Sequence, residues 1–170
     1  MKITDFIEND IKVSWKLLYL GFGGDAKFSG QLTGRDIVSY AISKSEENDC
    51  PLDVILLASA NERNTEEIRG LLKKLSSDEN TDIDIEFRKL RVLYVIQHLP
   101  NIDEEYIQGL IKLGDIWAHF DFSSDSPHAF QGLNNTITPE KYYTKENYEK
   151  LLQSHRNWIK QEIFELKQGT

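Results

Sequence analysis

Apolar residues along the chain recur at intervals of three and four, and two-residue alternation is nearly absent, so the pattern predicts helices almost throughout. Trp15, Leu18, Tyr19 and Phe22 form one such face behind Ser14, a residue suited to capping a helix start, and the element stops in the glycines of GFGGDAKFSGQLTG. Thr33 and Asp36 have capping-box spacing, with Asp where Glu or Gln is usual, and Ile37, Val38 and Ala41 carry that helix onward. Residues 45–51 read as a charged connection. Val54, Leu57 and Ala58 mark a short helix. Thr65 to Leu75 marks another, opened by Glu66 and Glu67 and closed by Lys73 and Lys74 as the helix dipole favours.

After the polar link SSDENTDID, Phe87, Leu90, Leu93, Tyr94, Val95 and Ile96 lie almost all round the next helix, the pattern of the most buried one, and Pro100 ends it. Asp103, Glu104 and Glu105 open the next element, whose stripe is Ile107, Leu110, Ile111, Gly114 and Trp117; Gly114 is expected to let a neighbour pack closely. Residues 121–139 look irregular. A long amphipathic C-terminal helix then begins near Pro139 or Thr144, with Tyr148, Leu151, Leu152, His155, Ile159, Ile163 and Leu166 on its apolar side. The runs ILLAS and LRVLYVI have strand-like composition, but their flanking polar spacing favours helix. The expected fold is all-α: one domain over residues 1–170, an array of about seven helices closed by the C-terminal one.

Composition narrows the class. No apolar run reaches the ~18 residues that would suggest a membrane span, and acids interrupt MKITDFIENDIKVSW before a signal sequence could form, so a soluble cytoplasmic protein is expected. The single Cys50 excludes an internal disulfide and multi-cysteine zinc sites, and is expected as a free buried thiol. Net charge is −8, and residues 46–105 hold fifteen acids against seven bases while the remainder holds thirteen of each. The acidic imbalance therefore lies wholly in the middle of the chain. Such a face repels nucleic-acid backbones and attracts basic surfaces.

The densest candidate chemistry is GDIWAHFDFSSDSPHAF, residues 114–130. His119 and Asp121 stand two apart, which on a helix turns them to different faces, and Asp125 and His128 sit in a loop, so a metal is not expected. The serines lack a G-x-S-x-G elbow, and the acids ahead of Cys50 would raise rather than lower a thiol pKa. The glycines at 21–34 lack a GK[ST] phosphate loop. No cofactor is expected. Most paired carboxylates occupy predicted helix starts or loops.

The order SWKLLYLGF, LTGRDIVSYA, VILLAS and IWAHFDF with a proline nearby resembles a family of uncharacterised bacterial proteins, a domain of unknown function. The resemblance covers most of residues 13–130 and rests on Trp15, Gly21, Asp36, Ala41, Leu57, Trp117 or its neighbour, Phe120, Asp121 and Pro127. Two departures stand out: Ser123 to Ser126 separate the FD-aromatic step from its proline, and Leu90 occupies a region where the family pattern has tryptophan. The resemblance supplies no catalytic residues. It implies likeness to small acidic immunity proteins of bacterial toxin systems, including contact-dependent growth inhibition.

The expected function is that of a non-enzymatic immunity protein that binds a cognate toxin domain, a basic nuclease, and blocks its substrate groove with carboxylates. The expected contact residues are Asp78, Glu79, Asp82, Asp84, Asp103, Glu104 and Glu105, with Asp121 and Asp125 as a second patch. A small enzyme using His119, Asp121, Asp125 and His128 is the rival reading, and a non-inhibitory helical scaffold is the third.

Overall fold

The computed structural model describes residues 1–24, 28, 30–102, 104–133 and 135–168. Among them the fold is all-α, with no strand. Its helices are α1 (Ile3–Glu8), α2 (Trp15–Tyr19), α3 (Gly34–Ser45), α4 (Leu52–Ser59), α5 (Thr65–Asp78), α6 (Ile83–His98), α7 (Tyr106–Ala118), α8 (Pro139–Tyr142) and the long α9 (Lys145–Gln168). The contacts group the chain into two compact units, residues 1–93 with 166–170, and residues 94–165.

In the first unit α3 packs on α4, and α5 packs on both α2 and α4. Leu17, Leu18, Ile37, Leu57, Ile68 and Leu72 are fully buried there. Its helix starts follow the expected chemistry: Ser14 Oγ accepts the Leu17 N–H at 2.9 Å, and Thr33 and Asp36 form a reciprocal capping box. A cap invisible to local spacing is Glu79, whose two carboxylate oxygens accept the N–H groups of Trp15 and Lys16 at 2.9 and 2.8 Å. A charged acceptor at a helix start satisfies orphan donors and complements the dipole together.

Several expectations are corrected. Helix α5 runs past Leu75 to Asp78, so Lys73 and Lys74 lie a turn inside it and no base occupies its last turn. Cys50 is half-buried rather than buried. On α7 the buried side is Leu110, Leu113, Ile116 and Trp117, whereas Ile107 and Ile111 are exposed. The Gly114 position is open, because nothing lies within 4 Å of a Cβ placed there. The start of the C-terminal segment divides in two: Pro139 opens α8, and α9 begins after Thr144.

In the second unit Leu110, Leu113, Tyr142, Tyr148 and Leu151 form a buried cluster, with Leu99, Ile102 and Tyr106 packed against it. No helix among the described residues is long and apolar enough to cross a membrane.

Gly34 shows how tightly the first unit is built: a Cβ there would collide with the Glu62 carbonyl oxygen and press on Ile68. Gly70, exposed within α5, has open space around it. Gly34→Ala is therefore expected to lower the thermal unfolding midpoint. Gly70→Ala should raise stability by about 0.5–1 kcal/mol through helix propensity, and urea titration of both variants checks the opposite signs.

Candidate partner-binding surface

The segment GDIWAHFDFSSDSPHAF turns from helix to loop in one left-handed step. Helix α7 ends at Ala118, and the N–H groups of Asp121 and Phe122 return to the carbonyls of Ala118 and Trp117 at 3.2 and 2.9 Å. Both residues have positive φ, 52° and 55°. Aspartate tolerates this region; a bulky aromatic is held there against a strain of about 1–3 kcal/mol. Phe122 is nevertheless 48% exposed, touching Phe130 edge-to-face at 4.8 Å.

Phe122 and Phe130 border a groove of about 400 Å³, whose other walls include Ile111 and Gly114 of α7, Leu133 of the loop, and Tyr142 and Tyr143 of α8. Ile111, Leu133 and Tyr143 are each exposed by more than a third, so the groove is a concave apolar surface open to solvent. Asp115 contributes a carboxylate to it. The open Gly114 position belongs here, which explains why its small side faces no neighbour.

Buried polar bonds hold the groove's walls. Trp117 Nε1–H donates to His155 Nε2 at 2.7 Å, and His155 Nδ1 lies 2.6 Å from the Leu151 carbonyl, so the ring is a neutral Nδ1–H tautomer bonded at both nitrogens. His128 Nε2 meets the Tyr142 hydroxyl at 2.6 Å, while Phe130 packs against the His128 ring at 4.3 Å. Burial pushes His128 down from 6.5 to about 3, with His155 adding to it, and pushes the Tyr142 phenol up to about 12. His155 is also lowered by burial, opposed by its bond to Leu151. Asn135 fastens the loop: its amide donates to the carbonyls of Phe130 and Leu133 at 2.7 and 2.9 Å, and its oxygen accepts the Ile137 N–H at 3.1 Å. Sequence spacing gave no sign of Asn135 or of the His128–Tyr142 pair, since each joins residues across an irregular loop.

The residues of the rival enzyme reading each have structural engagements or positions of their own. His119 stacks on Tyr94 at 4.6 Å with rings almost parallel, and His128 is buried against Tyr142. Asp125 accepts the Ser123 hydroxyl, and Asp121 is exposed at the helix end. Among the described residues no group of three His, Cys, Asp or Glu side chains is placed to hold a metal.

The acidic contact residues have mixed placements. In the first unit Asp78 and Asp84 are exposed, Glu79 is committed to capping α2, and Asp82 accepts the Asp84 N–H at 2.9 Å where α6 begins. In the second unit Glu104 is exposed and Glu105 caps α7 by accepting the Gln108 N–H at 2.8 Å. Asp103 lies outside the described residues.

The model of a bacterial family, described as an uncharacterized protein conserved in bacteria (DUF2247), matches residues 3–163, and the chain belongs to that family. No curated protein and no solved structure matches it.

His128 makes stability depend on pH. Its folded pKa lies below the unfolded value, so its contribution is complete above about pH 6.5 and is lost toward pH 3 at about 1.4 kcal/mol per unit. The wild type should therefore lose more stability between about pH 7 and pH 4.5 than His128→Gln does, and equal losses in urea titrations would contradict a neutral buried imidazole.

Proposed function

We propose that this member of the DUF2247 family is an immunity protein: it binds one cognate bacterial toxin domain and silences it by covering that domain's substrate groove. The observation that supports this reading is the apolar groove around Phe122. Exposed aromatic and aliphatic side chains in a concave setting are the usual anchors of protein interfaces. The positive φ at Phe122 closes the end of α7 through its N–H bond to the Trp117 carbonyl, and the same step presents a half-exposed aromatic ring at the groove.

Charge supports a basic partner. The exposed carboxylates at Asp78, Asp84, Glu104, Asp121 and Asp125 raise the local concentration of cationic surfaces and speed association. A nuclease, whose groove is built to attract phosphate, is the partner class that exposed carboxylates on either unit suit. A binding role also agrees with the engagement of His119 and His128 in ring contacts within the unit.

The test is to purify the tagged chain from its own bacterium, identify a stoichiometric partner by mass spectrometry, and assay that partner with and without equimolar chain. A basic nuclease that loses activity is the expected result. A partner that binds and stays fully active would overturn the proposal in favour of a scaffold.

Two variants locate the contact. Phe122→Gly should weaken the complex by about 1–3 kcal/mol, as loss of an aromatic anchor does, while leaving the urea midpoint of the isolated chain no lower, because glycine relieves the positive φ. Reversing Asp78, Asp84 and Glu104 to lysine should slow association and flatten its salt dependence in stopped-flow measurements; unchanged rates would remove the electrostatic part.

A further inference from the structure

Helix α7 supplies one wall of the groove around Phe122. Ile111, Asp115 and Ala118 are spaced by four and three residues, so they share a single helix face, and all three line the groove. Asp115 is exposed on that face. It carries the one formal charge among the described lining residues, and no lysine or arginine is among them.

Four aromatic rings border the same space in two right-angled pairs. Phe122 and Phe130 meet at 83° with centroids 4.8 Å apart, and Tyr142 and Tyr143 meet at 85° and 4.9 Å. One ring of each pair is open to solvent, Phe122 at 48% and Tyr143 at 39%. The face of an aromatic ring is its negative pole, and rings set at right angles turn their faces in different directions around one volume. Such an arrangement attracts an organic cation.

A protein surface that covers the groove takes Asp115 out of water. A carboxylate so covered and left unpaired is strongly unfavourable, so a purely apolar plug does not suit the site, and the covering surface must bring a positive charge to it. One carboxylate is too few for a hard metal ion, which takes about six oxygen ligands. Arginine fits each feature: its planar guanidinium stacks on aromatic faces and forks onto a carboxylate, and its methylene stem can lie along apolar neighbours such as Ile111 and Leu133, 43% and 47% exposed. Lysine matches the charge but neither stacks nor forks.

We infer that this groove takes an arginine side chain of the partner protein, with the guanidinium on Asp115 and against the rings of Phe122 and Tyr143. The inference rests on the reading of the groove as the partner contact. It adds Asp115, which belongs to neither acidic patch expected from the sequence, as a residue that selects the partner.

The groove can be probed without the toxin. In amide-resolved NMR titrations of the full chain, acetyl-Leu-Arg-Leu-amide should give saturable shifts within residues 111–122, 130–133 and 142–143. Exchanging its arginine for citrulline, which keeps the shape and loses the charge, should weaken binding about fivefold. Asp115→Asn, a change on an exposed helix face, should remove that difference, and Tyr143→Leu should reduce it. No saturable shift, equal binding of the arginine and citrulline peptides, or an undiminished difference in Asp115→Asn would overturn the inference. Shifts of the same amides on diluting the chain alone would assign the groove to a second copy and overturn it too. The toxin reading fails separately: an arginine preference beside a co-purified partner that stays active upholds the groove's chemistry and overturns the toxin, whereas a silenced toxin without an arginine preference does the reverse.

Discussion

The hydrogen bond from the Trp117 indole to His155 is the constraint on which the second unit depends. Trp117 and His155 are both 0% exposed, so neither polar nitrogen has recourse to solvent, and each must be met by the other. That requirement fixes the last turn of α7 against α9. The left-handed step at Asp121 and Phe122 follows directly, because its closing N–H returns to the carbonyl of Trp117 itself. With Trp117 held, Phe122 is delivered to the rim of the groove, and the His128–Tyr142 bond with the Asn135 amide sets the opposite wall.

The acidity of the chain has two structural sources that composition alone merges. Some carboxylates close helix starts, as Asp36, Glu79 and Glu105 do, and their charge serves the backbone before it serves any partner. Others, such as Asp78, Asp84 and Glu104, stand exposed and contribute to the surface field. Glu86 belongs to neither group, being buried with Lys89. Net charge alone therefore does not locate a binding surface on the chain.

What was legible in the sequence was local. The Ser14 cap, the Thr33–Asp36 box, the irregular stretch after residue 121 and the long C-terminal stripe all depend on neighbours within four residues, and all are present. The face of α7 was misread because apolar residues surround that helix; only packing tells that Leu113 and Ile116 go inward while Ile107 and Ile111 do not. The Glu79 cap joins residues more than sixty positions apart, and no spacing rule reaches that far. Helix α1, six residues long, is too short to show a period. Within the candidate surface, the aromatics of residues 114–130 were visible but their roles were not: Trp117 and Phe120 went to the core as expected, and Phe122 to the groove.

Hydrogen–deuterium exchange of the chain, alone and bound to its stoichiometric partner, tests the central claim most directly. Slowed exchange at the amides of residues 119–133 and 142–143 on binding is the predicted result. Protection confined to other segments, with these amides exchanging as in the isolated chain, would contradict a partner seated in the Phe122 groove.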